Sequence, residues 1–400
     1  MKKIITLAIS IFLVFSGLGA VALNLEKINN FEKTNNGFNE IDFSSINVVD
    51  SNEEFISFSF GDEELYLLNP GQPMIPKMLK EFELPFGVTN VNVELIPKEI
   101  QEKYISKEIE PVPSPMPKTP IDGFVPYPRK DKIIYESEEL FPKTWHSYNV
   151  GCGLNKNGDH VTHLVINMYP VRYSPLLNKL SIANKADVKI SYDDPDEEIF
   201  PTTSEYDLVI IAPSEFQTNI QPLIDHKNSF GISTVLKTTE DIYDEYEGVD
   251  KPEQIKYFIK DALETWDMKY VLLLGGLKSK IYAPSRDNDN VGEKGWLLPV
   301  RFSNLDFGDP GYACDLYYSD IYKTGGEFDD WDGNGNGIFA EWIEDASGEI
   351  ELLDVIDLYP DVAVGRLACR NTQEVDDVVN KIIKYETTTY GSDWFESILV

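Results

Sequence analysis

From Tyr206 onward the chain repeats one pattern, a short apolar run followed by an amphipathic segment. "YDLVIIAP" (206–213) has no polar residue between Leu208 and Pro213. A strand without polar alternation must be covered on both faces. "SEFQTNIQPLIDHKNSFG" follows at helical spacing, with Ser214 and Gln217 placed as a capping box and Gly231 as the stop. Strand "ISTVLKT", helix "PEQIKYFIKDALETW", strand "YVLLLGG", strand "DVAVGRLA" and helix "NTQEVDDVVNKIIKYETTT" continue the series. Strands alternating with helices make a mostly parallel sheet clad on both faces, a three-layer α/β domain over residues 206–400. Functional loops of such sheets gather beyond the carboxyl ends of the strands. "ESILV" (396–400) reads as the start of another strand, so the domain is expected to be incomplete at its C-terminus.

Residues 23–192 carry a different pattern. "EFISFSF", "LYLLN", "VTNVNVELI", "HVTHLVINMYPVRY" and "ADVKISY" alternate or nearly so, with turn residues between them, which predicts a β-rich domain. The proline-dense "EIEPVPSPMPKTPIDGFVPYPRKDK" is excluded from helix and from central strand, and is expected as extended surface chain. "DDPDEEIFPTTSE" (193–205) is an acidic linker. No internal repeat is present.

The first 22 residues begin Met-Lys-Lys, continue as an apolar run and close on "AVA" (Ala20 to Ala22). This is a secretory signal peptide, or an anchor if left uncleaved. Both place the remainder outside the cell, secreted or at its surface, and leave the N-terminal segment as the only route to a membrane. The net charge of −33 and pI near 4.4 exclude nucleic acid and anionic lipid as bulk electrostatic partners. Three cysteines, Cys152, Cys314 and Cys369, are too few and too scattered for a disulfide framework, and are expected as unpaired thiols.

"DDWDGNGNGIFAEW" (329–342) fits the calcium-loop spacing D-x-[DN]-x-[DN]-G-x5-E. Asp330, Asp332 and Asn334 take its first, third and fifth positions, Gly335 the turn and Glu341 the closing acid. Calcium takes six to eight oxygens, roughly, and alternate residues of a tight loop can all face inward. Asn336 supplies its backbone carbonyl, Ile338 sits near a bridging water, and Glu341 binds through both oxygens. Gly337 stands where paired EF-hands carry an aliphatic residue, and the flanks are not long helices. The expectation is one calcium loop, residues 330–341, inserted in another fold to order a long connection. An Asn/Gly turn without metal is the competing reading.

Other acids are read first as solvated or turn-capping groups: Asp287, Asp289, Asp306, Asp309, Asp315 and Asp320. Asp315 and Asp320 are kept in view because they lie near a strand-to-helix crest. Arg366, inside an apolar strand, calls for a carboxylate partner. His160 and His163 are three apart in a strand and fall on opposite faces. His226 reads as a surface position, and a Cys369–His226 pair is set aside for want of a histidine after the cysteine. Cys152, in "GCG", reads as a turn or packing residue.

Several segments together resemble the gingipain-type cysteine peptidases of the caspase-like clan. They are "YDLVIIAPSEFQTNIQPLIDHKNSFGISTVLKTTEDIY", "KYVLLLGG", "CDLYYSDIY" and "LYPDVAVGRLACRNTQEVDDVVNKIIKYE". "NPGQPMIPKMLKEFELPFG" and "MYPVRYSP" resemble the β-rich pro-domain of that family. The resemblance implies a caspase-like fold, a Cys–His dyad, a protein or peptide substrate and an intramolecular contact of the pro-domain with the enzyme. The family's His-Gly segment and later cysteine have no counterpart here, so no catalytic residue is carried over and the dyad is expected beyond residue 400. Between Lys189 and Lys227 there is no lysine or arginine, so the linker holds no basic processing site. The sequence reading is thus a secreted, calcium-stabilised zymogen of a cysteine endopeptidase. Its alternative is a non-catalytic, calcium-stabilised extracellular binding module that retains the fold.

Overall fold

The computed structural model of the chain describes residues 39–43, 46–50, 53–59, 65–114, 130–195, 197–201, 204–279, 291–305, 312–344, 350–389, 391–392 and 394. The signal segment, most of the proline-dense stretch, Asp287, Asp289, Asp306, Asp309 and "ESILV" lie outside them. The chain divides into two units. The first takes residues up to Phe82, Leu95–Ser147 and Val165–Val188. The second takes Glu83–Glu94, Tyr148–Leu164 and everything from Lys189.

The first unit is built from strands, as the alternation requires. Val171–Ser174 turns back on the start of Lys179–Asp193, pairing Val171 with Ile182 and Tyr173 with Leu180. Asn39–Asp42 pairs antiparallel with Lys185–Val188 of the same long strand. The inward residues Ile56, Phe58, Ile75, Ile109, Val171, Tyr173 and Leu180 make one core.

The second unit holds a four-stranded parallel sheet. In chain order its elements are β1 (Leu208–Ala212), α1 (Gln217–Ser229), β2 (Thr234–Thr238), α2 (Thr239–Glu245), α3 (Lys251–Trp266), β3 (Tyr270–Leu274), β4 (Ala363–Leu367) and α4 (Thr372–Thr388). The strand order is β2-β1-β3-β4, every pairing parallel. All five residues of β1 are buried. Val209 and Ile211 face a core with Ile255, Phe258, Ile259 and Leu263 of α3. Leu208, Ile210 and Ala212 face a second core with Ile220 and Leu223 of α1 and Val375 and Val379 of α4.

The helix ends follow local chemistry, with one exception. Asn371 caps α4 by accepting from the Glu374 N–H at 3.0 Å. Asp250 caps α3 by accepting from the Glu253 N–H at 3.1 Å, with proline in its first turn. Gly231 closes the α1 hairpin at φ +79°, where a side chain would strain the backbone. The capping box at Ser214 does not form. Ser214–Phe216 is a 3₁₀ turn without a side-chain cap. The Ser214 N–H donates instead to Oε2 of Glu240 on α2, 2.9 Å away. A carboxylate from a neighbouring helix does the work the local cap was expected to do.

Asp250 also fixes the fully buried Arg301. Oδ2 and Oδ1 accept from Nη1 and Nη2 at 2.7 and 2.9 Å. The Arg301 guanidinium lies 3.6 Å from the Phe339 ring centroid. Replacing Asp250 with Ala uncaps α3 and strands a buried cation. The expected cost is about 3–5 kcal/mol, read as a lower denaturant midpoint at unchanged m-value.

Candidate functional site

The carboxyl ends of the strands are organised by Arg366 of β4. Its guanidinium meets Asp315 in a two-pronged ion pair at 2.7 and 2.8 Å. Its remaining N–H groups donate to the carbonyls of Gly275, Leu298 and Pro299 at 2.8 to 3.0 Å. The arginine thus finds its carboxylate, ties three chain segments to the end of the sheet, and has no donor left for a ligand.

The three thiols are unpaired. Burial pushes the pKa of Cys152, of Cys314 and of Cys369 above the ordinary thiol value, opposite to what a thiolate nucleophile needs. No thiol contacts a histidine among the described residues. His226 bonds Oε2 of Glu386 at 2.8 Å, and Lys227 donates to the other oxygen at 2.5 Å, so the histidine is part of a clamp between α1 and α4. It is well covered rather than the surface position expected. Cys369 packs among Leu274, Val375 and Val379. The structure does not bring these two residues together.

The calcium-loop residues share one network. Asp332 accepts from the Asn336 and Gly337 N–H groups, each at 2.9 Å. Asp330 accepts from the Asp332 N–H at 3.1 Å. Oε2 of Glu341 accepts from the side-chain amides of Asn334 and Asn336 at 3.3 and 2.7 Å. Gly335 and Gly337 have φ of +71° and +79°. Asp354, which the motif does not include, ties the middle of the loop to its closing end: its carboxylate accepts from the Glu341 N–H at 2.8 Å and the Asn334 N–H at 3.4 Å. Among the described residues no three His, Cys, Asp or Glu side chains converge as a metal site.

Behind this loop is a buried charged group. Lys256 of α3 is fully buried, donates to the Asp329 carbonyl, and lies 4.3 Å from the Tyr317 ring centroid. Asp320 accepts from the Trp331 indole N–H at 2.8 Å. Asp361 accepts from the Ile321 and Tyr322 N–H groups at 2.6 and 2.8 Å. One carboxylate oxygen of Asp320, of Asp329 and of Asp361 is buried without a hydrogen-bond partner. Burial pushes all three acids above the usual carboxylate range, and lowers Lys256 against the pull of the same acids.

Two histidines from 148–164 bind this side of the second unit. His160 Nε2 bonds the Asp361 carbonyl at 2.8 Å, and its ring stacks on Phe200 at 3.9 Å. The His163 ring stacks on Tyr359 at 4.5 Å. Burial lowers the His160 pKa to about 4, aided by Lys269 and opposed by the bond to the Asp361 carbonyl and by the Asp159 charge. An unfolded histidine takes its proton near 6.5. The contribution of neutral His160 is therefore complete above about pH 6.5 and lost as pH falls toward 4. The ring resonances of His160, followed by NMR, are expected to titrate near pH 4; a midpoint near 6.5 refutes the buried neutral ring.

The comparisons with known proteins divide the chain in the same order as its pattern. The family model described as Propeptide_C25 matches residues 30–216, and that of Peptidase family C25 matches residues 202–400. The chain belongs to peptidase family C25. Solved structures of low similarity include a complex of Porphyromonas gingivalis RgpB pro- and mature domains. It is 18% identical at a TM-score of 0.31, over 38% of this chain and 76% of that one. A structure concerning the zymogenic latency of gingipain K from Porphyromonas gingivalis is 15% identical at 0.28, over 39% and 99%. Dimeric latent PorU from the same organism is 11% identical at 0.32, over 85% of this chain and 40% of its own. No curated protein matches.

For this C25 chain, the residues missed in the sequence had faint signals. Arg301 sits in an apolar run as Arg366 does. Lys256 falls on the apolar stripe of α3 between Pro252 and Ile259. Asp354 and Asp361 had none, because their partners are distant in sequence.

Proposed function

We propose that this chain is the precursor of a secreted cysteine endopeptidase, held as a zymogen by its pro-domain and stabilised by calcium. The observation that carries the reading is the order of the two family matches, propeptide then peptidase. The parallel sheet with helices on both faces supports a caspase-like enzyme. In this reading a thiolate attacks the peptide carbonyl and a histidine moves the protons. None of the three cysteines described here is assigned to that step. The signal segment of residues 1–22 supports export.

The test uses the whole gene product. Cutting the 193–205 linker is expected to raise hydrolysis of fluorogenic peptides, and iodoacetamide to abolish it. Absence of thiol-sensitive hydrolysis before and after the cut overturns the enzyme reading and leaves the binding module.

Calcium is assigned to Asp330, Asp332, Asn334, Glu341 and the Asn336 carbonyl. The donor types support it: all are oxygens in an alternating loop with two glycines at positive φ. Binding requires Glu341 to exchange the amides of Asn334 and Asn336 for the ion. Calcium in a hundredfold excess over Kd is expected to add about 2.7 kcal/mol of stability. The gain disappears in Asp332→Ala and Glu341→Ala, and thermal unfolding with and without chelator checks it.

A further inference from the structure

The segment 148–164 belongs by its contacts to the second unit, although the propeptide match includes it. The backbone of three alternate positions of one strand is hydrogen-bonded there. The Val150 carbonyl accepts from Thr324 Oγ1 at 3.0 Å. The Cys152 N–H donates to Asp357 Oδ2 at 2.7 Å. The Leu154 N–H donates to the Pro360 carbonyl at 2.8 Å. Between them, Gly151 and Gly153 lie against Tyr359. A Cβ on Gly151 would stand 2.3 Å from Tyr359 Cδ2; one on Gly153 would stand 2.8 Å from Tyr359 Cβ and 2.9 Å from the Pro360 carbonyl. Neither glycine has a positive φ. Their role is therefore space, not backbone freedom. The Tyr359 ring is stacked by His163, and the Cys152 side chain enters the α3 core beside Val209 and Ile211.

The place of this contact matters. Tyr359, Pro360 and Asp361 run into the first residue of β4, Ala363. His160 also feels Lys269, the residue before β3. The contact therefore lies at the amino ends of the parallel strands. Arg366 and the loops where such sheets place their chemistry lie at the other end.

We propose that Asp357, Tyr359 and Pro360 form a docking face that accepts an extended Gly-x-Gly strand, and that residues 150–154 of the pro-segment are its occupant. The face retains the pro-segment by shape and main-chain hydrogen bonds at the end of the sheet opposite the expected catalytic loops. Retention is thus separate from any blocking of the active site. The assignment of a pro-segment rests on the precursor reading; the docking face itself is tested without any peptidase assay.

The experiment is hydrogen exchange on the full chain. Gly151→Ala is expected to speed exchange across 148–164 at least tenfold while β1 stays protected, and adding Tyr359→Ser is expected to restore protection. Unchanged exchange in Gly151→Ala overturns the proposal, and so does loss that Tyr359→Ser fails to restore. If the Gly151→Ala chain does not fold, Asp357→Ala decides, since it adds no bulk and removes the acceptor of the Cys152 N–H. Faster exchange of the Cys152 amide supports the face, and unchanged exchange overturns it. A chain with no thiol-sensitive hydrolysis but with this exchange pattern would lose the enzyme reading and keep the docking face.

Discussion

The burial of β1 on both faces sets most of what surrounds it. Five consecutive buried residues cannot sit at a surface, so α3 must cover Val209 and Ile211 while α1 and α4 cover Leu208, Ile210 and Ala212. Parallel pairing follows for β1, β2 and β3, because α1 and α3 are the crossovers between them. With its strands in one direction, the sheet gains two unlike ends. Arg366 gathers three carbonyls at one end, and the Tyr359 strap meets residues 150–154 at the other.

The same helix that covers β1 carries a charge into the core. Lys256 is fully buried among Tyr317, Phe328 and Trp331, with acids from three separate stretches near it. An unpaired buried ammonium would be strongly destabilising. Here its charge faces Asp320, Asp329 and Asp361; Asp329 and Asp361 bind backbone N–H groups of a segment with little regular structure, and Asp320 binds the Trp331 indole N–H. In the region between β3 and β4 these polar clamps act beside a large apolar core that includes Leu298, Tyr317, Tyr318, Trp331 and Phe339. Asp354 is such a clamp for the 330–341 loop. A calcium ion there would add to an arrangement that Asp354 already closes.

The pro-segment contact has the character of a core rather than of a rim. Cys152 is fully buried, two glycines admit a tyrosine at van der Waals distance, and His160 is held neutral on Phe200. Such a face depends on shape, which makes it intolerant of a single methyl group.

The sequence by itself determined the class of each half. Alternation in 23–192 and apolar runs joined by helices after 206 are periodic signals, and they specify strands and crossovers because backbone geometry is local. It determined the Asp/Asn/Gly alternation of residues 330–341 and the need of Arg366 for a partner. Only the tertiary structure decided that the partner is Asp315, that Glu240 replaces the cap at Ser214, and that Asp354 closes the loop. It alone gave "GCG" its meaning, since the clash those glycines avoid is with Tyr359, some two hundred residues away. Periodicity reports which face of an element is covered. It carries no information about which distant side chain arrives to cover it, and sites are made of those arrivals.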